Sequence, residues 1–406
     1  MHKVLRWTGF VGGICLAVLL LSFLFVNTWP ALGAQGADFL RGVIGDKAVA
    51  GLEMAFNKVQ DGLEKLKYQL GLETPAAPWN TLQVPTPTAL STLTSSAEIP
   101  TKAVLQPTAT LPVLNTPEPT PTSTPTAWQP VDLTPLGGAD GEGVWSPYIQ
   151  DVDGDTVAYR TFLQPDPARP YSLVAIVAID LTRTRLHFVL GSIEPAGEDT
   201  QLRSGAIPKA DRAANVLLAA FNGGFKARHG QFGAMADGIV ALPPRDGLGT
   251  LVISKDGRVS LGEWGPGSTI DPNVESFRQN GPLVIREGAV NPRIHNNSPQ
   301  DWGYTVNDVS PTVRSGVGLS KDAKILFYFC GPSLSMESLA KAMQAAGAWN
   351  AIQLDINNYW ALFVKFQPSG SNVIAEALLP RLMVANIERY LWDYTRDYFY
   401  VTSVVR

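Results

Sequence analysis

TVRSGVGLSKDAKILFYFCGPSLSMESLAKAMQAAGAWNAIQLDINNYW, residues 312–360, reads as a basic residue (Arg314) before a charged turn, a buried strand, a helix and an acid-tipped strand in succession. Residues 325–330 (ILFYFC) are continuously apolar and bounded by Gly331-Pro332, a run too short for a helix and rich in aromatics, as an interior strand is. Ser335 stands at an N-cap position with Glu337 in the first turn to oppose the helix dipole. Met336, Leu339, Ala340 and Met343 recur at helical spacing and Gly347 offers a stop, which predicts a helix over 336–346. After it, residues 349–354 lead directly into Asp355. Strand-and-helix scaffolds commonly place a catalytic acid at such a strand end.

Two further corners have a strand-plus-turn character. Residues 216–221 (VLLAAF) form an apolar run that ends in Asn222-Gly223-Gly224-Phe225-Lys226. Paired glycines permit positive φ and let backbone N–H groups approach a ligand, although Asn-Gly-Gly is also ordinary turn chemistry. The other corner is Asn280-Gly281-Pro282-Leu283-Val284, followed by Arg286-Glu287-Gly288.

Taken together, Asn222-Gly-Gly-Phe225, Asn280-Gly-Pro-Leu283, Arg314-Ser-Gly-Val-Gly318 and the helix leading to Leu354-Asp355 resemble, in order and spacing, the phosphodiester glycosidase domain family. The likeness covers residues 170–366. That family includes the enzyme that uncovers mannose 6-phosphate and bacterial proteins linked to exopolysaccharide. One departure stands out: the family's Asp-Gly-Gly-Gly-Ser is here Asp355-Ile356-Asn357-Asn358-Tyr359-Trp360. Asparagine can take a left-handed backbone and exchange hydrogen bonds, so Asn357 and Asn358 are candidates to replace part of the glycine loop. Ile356 offers no such close backbone approach.

The resemblance implies a hydrolase acting on a sugar joined through its anomeric carbon to a phosphate, in envelope or exopolysaccharide glycans. Glycoside cleavage passes through an oxocarbenium-like transition state, which a carboxylate stabilises. Asp355 is the candidate catalytic acid, base or counter-charge; the competing account is an aspartate that caps nearby backbone N–H groups. Arg314 presents a planar fork suited to a phosphate, or to a structural carboxylate. Asn222 is a candidate for a sugar hydroxyl or phosphate oxygen, or closes a turn. Gly223, Gly224, Asn280 and Gly281 would line the substrate, the glycines through their N–H groups. His229 has a suitable ordinary pKa for proton transfer, or sits on a surface loop. The alternative function is a non-catalytic glycan-binding module, in which Tyr359 and Trp360 offer ring faces to sugars. The cofactor is unknown, and no His, Cys and carboxylate cluster has zinc spacing.

The 406 residues carry a net charge of −4 with scattered lysines, which argues against nucleic acid as a partner. Lys3 and Arg6 precede an uncharged span from Trp7 to Trp29, about 33 Å as a helix and enough to cross a hydrocarbon core. The expectation is an N-terminal anchor (residues 1–34) with everything else outside the cytoplasm; cleavage after Ala34 would instead release the protein. Cys15 lies in that span and Cys330 in a buried strand, so no disulfide framework exists.

Residues 35–72 hold a heptad seam of Val49, Leu52, Phe56, Val59, Leu63, Leu66 and Leu70. It predicts a coiled coil that makes a homo-oligomer through residues 49–70, or a single amphipathic helix lying on membrane or domain. Residues 73–130 are dominated by Pro, Thr, Ser and Ala, a composition that cannot bury a core and makes an extended spacer. Residues 131–406 are then one globular domain of α+β class, a single mixed sheet with flanking helices. Strands are expected at 156–163, 173–180, 185–190 and 360–366, and a hairpin at 251–261 around Asp256-Gly257. Asp151-Val-Asp-Gly-Asp155 opens like a calcium loop but has Phe162 where the bidentate acid belongs, and reads as an acidic turn.

Overall fold

The computed structural model describes residues 30–80, 128–196, 203–296, 299–302, 311–370, 372–383 and 386–404. The Trp7–Trp29 span, Cys15 and nearly all of the Pro/Thr-rich stretch lie outside them. Among the described residues no helix is long and apolar enough to cross a membrane.

Two helices come first, α1 (Pro30–Ile44) and α2 (Asp46–Gln69), joined at Gly45, whose φ of 85° reverses the chain. They belong to the same compact unit as the sheets that follow. The strands are β1 (Ser146–Gln150), β2 (Thr156–Leu163), β3 (Val174–Asp180), β4 (Thr184–Val189), β5 (Leu217–Asn222) and β6 (Ala234–Ala236). Then come β7 (Ile239–Leu242), β8 (Gly249–Ser254), β9 (Val259–Glu263), β10 (Val274–Gln279), β11 (Ile285–Arg286) and β12 (Ala289–Val290). The last six are β13 (Thr312–Leu319), β14 (Ile325–Leu334), β15 (Asn350–Gln353), β16 (Phe363–Ser369), β17 (Asn372–Ala377) and β18 (Tyr398–Ser403). Helix α3 (Met336–Ala345) lies between β14 and β15.

These strands make an eight-stranded sheet, β1-β2-β3-β14-β13-β15-β11-β12, and two five-stranded sheets, β7-β6-β10-β8-β9 and β17-β16-β5-β18-β4. The expected single mixed sheet is therefore three sheets, and the paired strands run antiparallel. The α+β expectation survives as a sheet-dominated fold with α3 as its core helix. Strands β3, β5 and β13 are each buried along their whole length, as strands covered on both faces are.

Strand β13 is the hinge of the architecture. It pairs with β14 on one side and β15 on the other, so β14-α3-β15 crosses over it. Gly316 makes that crossing possible, since a Cβ there would lie 2.2 Å from Met343 Cε and 2.8 Å from Ile352 O. Helix α3 is capped by Ser335, which accepts from Ser338 N at 3.1 Å, and buries Met336, Leu339 and Met343 completely. Truncating Leu339 to Ala would cost about 2–5 kcal/mol.

Local departures have physical causes. Gly331-Pro332 does not stop β14: the β13–β14 register slips between Thr312 and Arg314, and Ser333 takes a φ of 53°, so a bulge absorbs the proline. The strand expected at 360–366 begins only at Phe363, because Trp360 N and Ala361 N turn back onto Asn357 O. The hairpin at Asp256-Gly257 forms as read, with Gly257 at φ 85°. In the acidic turn, Arg183 pairs with Asp151 and Asp155. In the heptad seam, Val49 is buried and Phe56 half-buried, while Leu52, Val59, Leu63, Leu66 and Leu70 are exposed.

Candidate active site around Asp355 and Arg396

Asp355 follows β15 and is only 6% exposed. Its Oδ1 accepts from Ile356 N at 2.7 Å and Asn357 N at 3.3 Å, and its Oδ2 accepts from Arg396 Nη2 at 2.6 Å. The capping contact and the charged pair thus coexist on one carboxylate. Arg396 is itself 5% exposed and also donates to Gly224 O at 2.9 Å. Burial works against its charge, but Asp355 and then Asp397 beside it hold the guanidinium above its ordinary pKa. Its plane lies over the Trp360 ring, 4.7 Å from the centroid, and Lys226 Nζ lies 5.5 Å from the same ring.

The Asn222 corner supports this centre from behind. Asn222 Oδ1 accepts from Tyr328 Oη at 2.9 Å and Leu362 N at 3.1 Å, while Nδ2 donates to Gly223 O and Ser315 Oγ, each at 3.0 Å. Ser315 Oγ donates onward to Asp355 O at 2.6 Å, and Asp355 N donates to Gly223 O at 3.2 Å. The amide of Asn222 is therefore spent on the scaffold, and it fixes the backbone from which Asp355 projects.

Gly223 and Gly224 do not present their N–H groups to a cleft. Gly223 N donates to Asp397 O at 3.0 Å and Gly224 N to Asp397 Oδ2 at 3.1 Å. Side chains are excluded there by contact: a Cβ on Gly223 would sit 2.2 Å from Asp397 Oδ2, and one on Gly224 2.7 Å from Asn280 Oδ1. Asn280 is 1% exposed and ties two corners together, accepting from Phe225 N at 2.9 Å and donating to Gln353 O at 2.7 Å. Gly281 has φ 76°, with Asp301 O where a Cβ would go.

Arg314 is placed in the interior rather than at the mouth. It is fully buried, donating from Nε to Leu334 O at 2.9 Å and from Nη1 to Gln353 Oε1 at 2.6 Å. It braces β15 through Gln353, two residues before Asp355, which is the structural of the two roles open to it. Asn357 closes an Asx turn, its Oδ1 accepting from Tyr359 N at 2.9 Å. It does so without left-handed backbone: among described non-glycine residues, positive φ occurs at Gln231, Asp237, Glu287, Ala323, Ser333 and Asn386.

His229 is half-buried near the centre. Burial first, then the charges of Arg228, Arg41, Arg396 and Lys226, push its imidazole down to about 3. It is thus neutral at ordinary pH, and Nε2 faces Arg228 Nε at 3.2 Å.

Sequence reasoning missed Arg396, Asp397 and Arg278. Arg278 and Asp397 form a second buried pair at 2.7 Å, with side chains 0% and 1% exposed. Arg278 also donates to Phe225 O, Phe232 O and Gln279 O. The available signal was charge inside apolar strand runs, Arg278 in VESFRQ and Arg396-Asp397 amid tyrosines, since buried charges are rare unless paired. Arg396 Nε and Asp397 Oδ1 are buried without a hydrogen-bond partner among the described residues. Such groups are costly in a core and keep unused bonding capacity.

The phosphodiester glycosidase family model matches residues 215–355, a segment that begins just before β5 and ends on Asp355. No curated protein matches the chain. Among solved structures, it is similar to the zebrafish N-acetylglucosamine-1-phosphodiester alpha-N-acetylglucosaminidase catalytic domain auto-inhibited by its pro-peptide. That likeness has 16% identity over 63% of this chain and 86% of the other, with a TM-score of 0.40. A hypothetical protein from Synechocystis shares 12% identity, covering 64% of each chain at a TM-score of 0.34. An exported protein of Burkholderia pseudomallei K96243 shares 11%, over 57% of this chain and 74% of that one, at 0.28. The matched segment is thus similar to phosphodiester glycosidases over residues 215–355.

Proposed function

We propose that the chain is a membrane-anchored, extracytoplasmic hydrolase that cleaves sugar-1-phosphodiester bonds in envelope or exopolysaccharide glycans. The observation that carries this reading is the Asp355–Arg396 pair over Trp360, at the end of the family-matched segment. In this mechanism the Trp360 ring backs a sugar. Arg396, with Nε unspent, donates to the phosphodiester. The anomeric C–O bond breaks with its electron pair leaving on the phosphate oxygen, and Asp355 stabilises the sugar cation. Water then adds at the anomeric carbon and one proton is released, giving free sugar and a phosphomonoester. A phosphate is a good leaving group, so little acid assistance is required, consistent with a neutral His229.

A second reading is favoured by the bonding of Asp355 itself. Both carboxylate oxygens are engaged, by Ile356 N, Asn357 N and Arg396. A retired site that only holds glycans on the ring faces of Tyr359 and Trp360 would keep that arrangement. Incubating the full chain with a panel of sugar-1-phosphodiesters and following phosphorus resonances separates the two. Conversion of diester to monoester with equimolar free sugar supports the hydrolase. Glycan retention without conversion supports the binding module.

A further inference from the structure

Helices α1 and α2 form a hairpin whose polar side meets the domain and the partner helix, while an apolar side is left to solvent. In α1, Asp38 pairs with Lys226 and Arg228, and Arg41 reaches Glu53 of α2 at 2.5 Å. In α2, Asn57 Nδ2 donates to Thr312 Oγ1 at 3.1 Å, and Asp61 accepts from Arg169 Nε at 3.1 Å and Tyr171 Oη at 2.9 Å. At 3.6 residues per turn, Leu32, Phe39 and Val43 of α1 fall within about 40° of arc. Leu52, Val59, Leu63 and Leu66 of α2 fall within about 60°. Asp38 and Arg41 lie about 120–180° round from the first stripe, and Asn57 and Asp61 about 150–170° round from the second. Every side chain of both stripes is exposed, Phe39 to 72%. Soluble surfaces seldom leave aligned apolar stripes uncovered.

Position and charge name the cover. The uncharged run 7–29 ends at Trp29 and α1 begins at Pro30, so the hairpin starts where a run suited to a hydrocarbon core stops. The acids of the hairpin are all engaged: Asp38 with Lys226 and Arg228, Asp46 and Glu53 with Arg41, Asp61 with Arg169, and Glu64 with Lys67. Lys47, Lys58 and Lys65 are exposed, flank the α2 stripe and form no ion pair among the described residues. An apolar stripe edged by lysine is the chemistry of a helix lying in an anionic lipid surface. A second copy of the chain fits less well. Val49 is buried and Phe56 half-buried, so the free seam over 59–70 is under two heptads, and its lysine flank offers no acid for cross-pairing.

We propose that the hairpin docks on an anionic lipid surface, with both apolar stripes in the headgroup region and Lys47, Lys58 and Lys65 against lipid phosphates. The proposal rests on the membrane-anchored reading above. It also places the candidate site. The hairpin and the sheets are one compact unit, and the hairpin's contacts Lys226 and Thr312 neighbour the Asp355 centre, through the Trp360 ring and through Ile356 O. A docked hairpin therefore holds that centre close to the lipid surface, and the Pro/Thr-rich stretch that follows the hairpin does not carry the domain away from it.

The full chain is reconstituted in vesicles of phosphatidylcholine and phosphatidylglycerol. A nitroxide is placed on Cys15 or, in a Cys15→Ser background, on Phe39→Cys or Leu63→Cys; Cys330 is buried and stays unlabelled. Depth is read from collisions with oxygen against those with a water-soluble nickel complex. Labels at 39 and 63 should lie about 5–10 Å below the phosphates, and Lys58→Glu with Lys65→Glu should return both to water. Labels at 39 and 63 in water overturn the proposal, and a Cys15 label in lipid in the same series leaves the anchor standing. Lipid depth at 39 and 63 with the Cys15 label in water removes the anchor and leaves docking standing. Spin–spin broadening at 63 in place of lipid depth puts a second copy on the stripe and overturns the proposal. Depth unmoved by the lysine reversals overturns it as well, since the surface would then not be read by its charge.

Discussion

Arg396 Nη2 lies 2.6 Å from Asp355 Oδ2, joining residues 41 positions apart, and the same nitrogen donates to Gly224 O. One guanidinium from the C-terminal segment therefore bridges the β5 corner and the strand-end acid, the two ends of the family-matched segment. Removing one partner of such a buried pair leaves the other uncompensated. Arg396→Met should lower stability by about 3–5 kcal/mol in urea unfolding. The double variant Arg396→Met, Asp355→Leu should recover most of that loss without regaining sugar release.

The Arg278–Asp397 pair makes the same structural argument with the solvent fully excluded. Arg278→Met strands Asp397 and frees the carbonyls of Phe225 and Phe232, so it should cost about 3–5 kcal/mol, read as a drop in melting temperature. Lysine should not rescue it, because the guanidinium serves Asp397 and three carbonyls at once.

Gly223→Ala tests whether the Asn-Gly-Gly corner is a packing requirement. The added methyl meets Asp397 Oδ2 at 2.2 Å and Asp397 O at 2.8 Å. Because the second contact is backbone, the expected cost is about 1–3 kcal/mol, measured by chemical denaturation.

His229 sets a pH dependence. Its folded pKa, about 3, lies below the ordinary value of 6.5, so folding favours the neutral ring. Between those values the unfolded chain binds a proton that the folded chain does not. Stability contributed by His229 is thus full above pH 6.5 and is lost as pH falls toward 3, by up to about 1.4 kcal/mol per unit. His229→Gln should flatten that part of the stability profile; an unchanged slope would contradict the assignment.

The elements legible in the sequence are those whose signal is local. β2 spans Thr156–Leu163 as read, α3 starts after its Ser335 cap, and Asp256-Gly257 makes its hairpin turn. Asp355 stands at its strand end because a buried apolar run ending in an acid has few other placements. What escaped was set by pairing across long separations. Nothing local says that Arg396-Asp397 will return to Asp355 and Gly224, or that β18 will sit between β5 and β4. Arg314 was open between a ligand and a structural partner, because a motif basic residue suits either, and its position within fully buried β13 aims it at Gln353. The Gly223-Gly224 N–H groups misled similarly, since Asp397, distant in sequence, takes them both.

The central claim is tested most directly by the rate of free-sugar release from a sugar-1-phosphodiester by the full chain beside Asp355→Asn. Asparagine keeps the size and an acceptor for Ile356 N while removing the charge. The account predicts measurable release by the parent and a loss of at least about a hundredfold in kcat, with melting behaviour showing both chains folded. Equal release by the two chains, or none by the parent at any phosphodiester tried, would contradict it.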